Sequence, residues 1–262
     1  MILLLALSVL PVILLMIFIY RQDKYQKEPI KSLAKAFFGG MLAIPLVFII
    51  VGIINRIWIG DTVFYQAFWE AGLPEELCKL LIFMIFIWRD KNFDEYMDGI
   101  VYATFISLGF ACVENIMYVF SSESYGSAIH TSIARAILSV PGHFLFGVVM
   151  GYFLSLAKFQ EGRFCPNILM GLAAAAAAHG LFDWMLMIQE HVSVGLGTII
   201  YIAFLVGDIF LWNLGIKYIR KQQENSRQQA EKAALNDIDH QIEANTGYDS
   251  EYKRIDWNAG NK

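Results

Sequence analysis

Ionisable side chains stand inside otherwise apolar stretches of this chain, in an ordered set. The set is Glu75-Glu76-x-x-Lys79, Phe110-x-x-x-Glu114-Asn115, His143 between Arg135 and Gly147, and His179-x-x-x-Asp183. An ionisable group near the centre of a bilayer costs at least about 2.5 to 3.5 kcal/mol, so such groups mark function by default. Each has a bland use when taken singly. A lone intramembrane histidine packs more often than it ligates, and a glutamate one turn from a lysine serves as a structural ion pair. Three glutamates and two histidines on four segments are harder to explain that way, because each must be desolvated. Glu75 and Lys79, Phe110 and Glu114, His143 and Gly147, and His179 and Asp183 all stand one turn apart on a helix face. Glu76 is rotated by about a quarter-turn from Glu75, so one acid is expected to face the site and the other to bridge to a neighbour. Asp183 is placed to orient an imidazole and Arg135 to neutralise an acid. Cys78 and Asp208 read as structural. Carboxylates and imidazoles gathered this way suit water activation, metal binding or a proton relay.

The elements that must hold these groups are membrane spans. The chain is 262 residues, 57% hydrophobic and only 17% charged, with a mean hydropathy of +0.49, which excludes an ordinary soluble domain. A net charge of -4 offers no basic excess for nucleic acid. Cys78, Cys112 and Cys165 are odd in number and widely spaced, so no disulfide framework or thiolate zinc site is indicated. Apolar stretches at 1–20, 36–59, 64–88, 97–120, 128–157, 166–190 and 196–217 predict an all-α, polytopic membrane helical bundle of about seven transmembrane helices. The first lacks the charged start and small-residue cleavage site of a signal peptide and is read as a retained span. Gly72 and Pro74 precede the paired acids, and Pro141 and Gly142 precede His143; such breakers are tolerated at membrane depth where a helix lines a cavity.

Loop charge predicts the orientation. Arg21, Lys24, Lys27, Lys31, Lys35, Arg89, Lys91, Lys158, Arg163 and the run Lys217, Arg220, Lys221, Arg227, Lys232 all fall on one side, whereas 60–63, 121–127 and 191–195 hold no lysine or arginine. The N-terminus is therefore expected outside and the C-terminus in the cytoplasm, with the acids and histidines in the outer to middle part of the membrane. Residues 1–217 read as one membrane domain and 218–262 as a polar cytoplasmic tail, helical only near the membrane.

The four motifs, in this order on successive spans from Pro74 to Asp183, resemble those of the PrsW-type intramembrane proteases. That family is distantly similar to the CAAX prenyl endopeptidases and the bacteriocin-immunity membrane proteases. The resemblance implies that residues 1–217 are a protease domain in a bacterial cytoplasmic membrane. Its substrate would be a single-span membrane protein, an anti-sigma factor cut at site 1 near the extracytoplasmic face, which frees a stress-response sigma factor. Carried over, Glu75, Glu76, Glu114, His143 and His179 would be the proteolytic set, with Lys79, Asn115 and Asp183 in support. Relative to the CAAX-type pattern, Glu114 stands where a histidine is found, and Lys79 replaces an arginine one residue further on, so a prenylated substrate is not implied.

Two hydrolytic schemes fit the residues. In one, Glu114, His143 and His179 hold Zn2+ and leave a position for water, while Glu75 or Glu76 takes its proton. In the other no metal is used: a buried glutamate and one histidine activate the water, and the second histidine with Asn115 stabilises the oxyanion. No H-E-x-x-H, G-x-S-x-G or G-x-G-D pattern is present. The alternative from another class is a proton- or ion-coupled membrane transporter, for which buried acids, histidines and broken helices are also natural. The halves lack hydropathy symmetry, and the acids and histidines bunch at one depth, which disfavours it. A catalytically silent scaffold or immunity-like protein is a further alternative that only an activity assay separates.

Overall fold

The computed structural model describes residues 1–58 and 60–246, and every regular element among them is helical. Helices α1 (Ile2–Gln22) and α2 (Ile30–Ile57) lead into a composite rod made of α3 (Val63–Tyr65), a π-helical segment (Gln66–Gly72) and α4 (Leu73–Phe86). After α5 (Tyr96–Phe120), a second composite joins α6 (Tyr125–Ala134), a π segment (Arg135–Ser139) and α7 (Val140–Phe159). The described residues end with α8 (Phe164–Met187) and α9 (Val194–Thr246). Six helices among the described residues are long and apolar enough to cross a membrane by length and composition. The expected span at 64–88 exists as the rod Val63–Phe86 but is absent from that set, because every 18-residue window of it carries Glu70, Glu75, Glu76 and Lys79.

The tail differs from expectation. Helix α9 does not stop near the membrane but continues to Thr246. Residues 218–246 are rich in the helix formers Gln, Glu, Lys, Arg and Ala, and Arg227 pairs with both Glu224 and Glu231 along the helix. The extension is also docked: Ser226 Oγ accepts from the Met97 N–H at 2.9 Å, and Gln222 Nε2 donates to the Tyr152 carbonyl at 3.0 Å.

Helix α5 is the centre of the bundle, packed by α1, α2 and α7. Gly40 and Gly109 let α2 and α5 touch backbone to backbone, since a Cβ at either would overlap a carbonyl of the other helix, that of Ile106 or of Phe37. Gly99 and Gly151 do the same between α5 and α7. In lipid, where apolar burial gives helices little reason to associate, such close contact supplies the attraction.

At the end of the bundle bearing the basic loops lies a second set of buried acids. Asp23 and Glu28, before α2, meet Glu95 and Asp98 at the start of α5, and the four are between 0% and 6% exposed. Tyr102 donates its hydroxyl to Glu28. Burial, reinforced by the surrounding carboxylates including Asp94, pushes Glu28 up to about 10 and Glu95 up to about 8. Burial also raises Asp23, against the pull of its hydrogen bonds and of Lys27. A carboxyl raised in the folded state binds more protons folded than unfolded, so its stabilising share is whole below about pH 4.5 and is lost as the pH climbs through about 8 and then 10. Thermal unfolding in detergent is therefore expected to show lower stability at pH 9 than at pH 6, by on the order of 2 kcal/mol or more. Glu28→Gln should flatten that alkaline loss; an equal loss in the variant would remove Glu28 as its source.

Candidate active site

Close helix crossings bring the four motifs together. Gly72, at the end of the first π segment, faces the backbone of Gly180 and Ala176, and Gly180 in turn accommodates the Phe68 ring. That crossing lays His179 of α8 against the first turn of α4, where Glu75 and Glu76 stand. On the other flank, Gly147 of α7 rests on Thr104 and Ser107 of α5, and Ser107 Oγ donates to the His143 carbonyl at 2.6 Å. This fixes His143 beside Glu114. Two of the four motif helices, α4 and α7, begin with proline in the first turn, Pro74 and Pro141, directly after a π segment. A π turn repeats at i, i+5, and single π turns are common at functional sites.

Lys79 is the hub. Its Nζ donates to Glu76 Oε1 at 2.6 Å, lies 3.7 Å from Glu75 Oε2, contacts His143 Nδ1 at 3.0 Å and sits over the Phe110 ring. An ammonium has no acceptor, so His143 Nδ1 receives that bond and the ring proton sits on Nε2. His143 Nε2 then donates to Glu114 Oε2 at 2.8 Å, an oxygen that Arg135 Nη2 also reaches at 2.6 Å. His179 Nδ1 meets Glu76 Oε1 at 3.0 Å, while its Nε2 looks toward Asp183 Oδ2 at 3.4 Å and Glu75 Oε2 at 3.8 Å. The two imidazoles are 5.1 Å apart and nearly perpendicular, with Phe146 stacked on His179. Glu76, Lys79, His143 and His179 are each at most 3% exposed and Glu75 is 8% exposed, so the network is shut off from lipid.

Three placements differ from the quarter-turn and spacing arguments. Both paired acids face the cluster, and Lys79 binds Glu76 more closely than Glu75, because α8 flanks the first turn of α4 and draws Glu76 to His179. Asn115 does not aim at the cavity: its Nδ2 donates to the Ser8 carbonyl of α1 at 2.7 Å, and its Oδ1 accepts from Arg135 Nε at 2.9 Å. Glu114 grips His143 and Arg135. The three donors that approach one another within 4.8 Å belong instead to Glu75, His143 and His179. That triad fits a metal ion. Its donor chemistry is two nitrogens and an oxygen, and Glu75 Oε2 is buried without a hydrogen-bond partner. Tetrahedral bonds of about 2.0 to 2.2 Å put donors roughly 3.4 Å apart, so small side-chain shifts would close the triad on an ion.

A cleft of about 490 Å³ reaches the cluster, with Glu75, Glu114 and Asp183 in its wall and the imidazoles directly behind them. Ile44, Val47, Phe48 and Val51 of α2 form an apolar side, and Gln66, Glu70 and Ser121 line the end of the cleft away from the basic loops. Glu70, held by Asn55 Nδ2 at 2.7 Å, was not singled out from sequence. At 3.6 residues per turn it lies nearly opposite Glu75, and only the intervening π segment carries both to the cleft.

Comparison with known proteins places this architecture. The model of the PrsW family of intramembrane metalloproteases matches residues 28–208. The protease PrsW of Clostridioides difficile (strain 630) is 31% identical over 226 residues, covering 84% of this chain and 92% of that protein. The protease PrsW of Bacillus subtilis (strain 168) is 32% identical over 217 residues, covering 82% and 93%. That of Oceanobacillus iheyensis is 32% identical over 220 residues, covering 84% and 95%. No solved structure matches the chain.

Proposed function

The chain belongs to the PrsW family of intramembrane metalloproteases, an integral membrane peptidase, and from that premise we propose that it cuts a single-span anti-sigma factor near the outer face of a bacterial cytoplasmic membrane. The observation that carries this reading is the acid and imidazole cluster behind a cleft lined by Gln66, Glu70 and Ser121, at the end of the bundle whose loops hold no lysine or arginine. The apolar wall from α2 gives a transmembrane segment a surface to lie along, and the carboxylates receive it where it leaves the lipid.

Glu75, His143 and His179 would hold the divalent ion, assigned as Zn2+; to ligate it His143 would offer Nδ1 in place of its bond to Lys79, because Nε2 carries the proton given to Glu114. When bound, such an ion acidifies a water toward a pKa of about 7 and polarises the scissile carbonyl. Glu114 lines the cleft outside the donor triad and, unlike Glu70, bonds the ligand His143 directly, which places it to take the proton of the attacking water and pass it to the leaving amine. Arg135 keeps Glu114 in position, and Glu114 keeps the His143 ring in one tautomer. Glu76 is fully buried and acts through His179, whose Nδ1 it holds, while Lys79 offsets the charge of the paired acids. Asp183 stands in the cleft wall beside His179 Nε2, and Asn115 ties Arg135 to α1. Residues 1–217 are the protease domain and the polar tail is cytoplasmic.

Orientation and substrate are tested together. In a background lacking native cysteines, Ser124→Cys should react with an impermeant maleimide in intact cells and Ala230→Cys should not; labelling of Ala230→Cys alone would reverse the orientation. Expressed with a single-span anti-sigma factor, the protease should shorten it from its extracytoplasmic side. An uncut anti-sigma factor would overturn the substrate assignment.

A further inference from the structure

At the opposite end of the molecule from the active-site mouth, a groove of about 480 Å³ runs between the extension of α9 and the last turns of α7. Lys221, Asn225, Gln228 and Lys232 border it along one stripe of α9, at intervals of four, three and four residues, which is one helix face. The opposite wall is Tyr152, Leu156 and Phe159, with Tyr96 at its side. One wall is thus cationic and amide-bearing, the other aromatic and apolar.

The two lysines are unspent. Neither makes an ion pair among the described residues, and the acids nearest them on the helix, Glu224 and Glu231, are both held by Arg227. Depth also matters. Ser226, inside the stripe, bonds the Met97 N–H where α5 begins its apolar run, so the groove lies level with the membrane surface rather than far out in water. From the unpaired lysines, the apolar wall and this level, we infer that the groove binds an anionic phospholipid. The lysines take the phosphate diester, Asn225 and Gln228 meet the headgroup hydroxyls, and the aromatic wall covers the glycerol and the first carbons of the chains. A lipid seated there would staple the α9 extension to α7, the helix that carries His143. The assignment is independent of the proteolytic reading and of which compartment the groove faces.

The test uses the full chain in nanodiscs of phosphatidylcholine containing phosphatidylglycerol, then transferred to detergent, with retained lipid counted by native mass spectrometry. Each lysine near an anionic surface is worth roughly fivefold in binding, so K221Q/K232Q should weaken phosphatidylglycerol retention about thirtyfold. K221R/K232R should retain it, which separates lost charge from misfolding. K217Q/R220Q, which removes the same charge from outside the groove, should also retain it. Inorganic phosphate matched in concentration to the lipid should not displace it. Equal retention by K221Q/K232Q, loss by K217Q/R220Q as large as by the groove variant, or displacement by inorganic phosphate would each overturn the lipid assignment, the last in favour of a soluble phosphate.

Discussion

Glu75→Gln, Glu114→Gln, His143→Ala and His179→Ala, made one at a time, are each expected to lower cleavage of a single-span substrate by on the order of 10⁴-fold while leaving a folded, membrane-inserted protein. The reason is that in the proposed mechanism they act as one unit. Glu75 joins both imidazoles within 4.8 Å, and Glu114 holds His143 at 2.8 Å, so loss of any one leaves the others without their partner. Pairwise combinations should therefore cost little more than the worst single change, because members of a catalytic unit are strongly non-additive. Glu76→Gln is expected to be nearly as severe, acting through His179. Asp183→Asn, whose carboxylate stands 3.4 Å from His179 and is partly open to the cleft, should cost only about 10- to 100-fold. Lys79→Ala should fail differently. It leaves Glu76, 0% exposed, without its ammonium, and breaking a buried pair costs roughly 3–5 kcal/mol, so the loss should appear as poor folding as well as low activity. Kinetics on the purified series, alongside thermal unfolding, check all of these.

The second large effect concerns the metal. Treatment with a chelator should reduce cleavage to under about one part in a hundred, and Zn2+ should restore it. A binding readout separates this from general inhibition. An ion that binds only the folded protein raises its stability, by about 2.7 kcal/mol at a hundredfold excess over Kd, so added Zn2+ should raise the unfolding midpoint of the parent protein. It should not raise that of His143→Ala or His179→Ala, while Glu114→Gln should keep the response if Glu75 is the carboxylate donor. A response lost in Glu114→Gln but kept in Glu75→Gln would move the carboxylate ligand to Glu114.

Spacing made the constituents of the site legible, but not their register. Acids and histidines in apolar runs are costly enough to announce themselves, which is why Glu75, Glu76, Lys79, Glu114, His143 and His179 could all be named from sequence, and why the loops rich in lysine and arginine marked one end of the bundle. What a 3.6-residue period cannot report is a π turn. The segments Gln66–Gly72 and Arg135–Ser139 shift the faces that follow, turning Glu70 to the cleft. Nor does a one-turn rule say which neighbour a buried carboxylate prefers. Glu76 outcompetes Glu75 for Lys79 because α8 crosses at Gly72 and Gly180, a contact between residues 108 positions apart. Asn115 follows the same logic: its amide is drawn to the Ser8 carbonyl of α1, a long-range partner that local spacing leaves invisible. The α9 extension is not legible from composition, because a polar sequence suggests a solvated tail, whereas Gln222 and Ser226 are buried against the bundle.

In the proposed mechanism the buried cluster of glutamates and histidines hydrolyses a peptide bond at the end of the bundle that Ser121 occupies. Its most direct measurement is mass spectrometry of products after the purified protein, reconstituted with a single-span substrate in lipid, has acted. Two fragments are expected whose masses sum to the substrate plus one water, cut where the transmembrane segment leaves the bilayer on the side of Ser121, and none from the His143→Ala/His179→Ala variant. Fragments released by that double variant at the parent rate would contradict it.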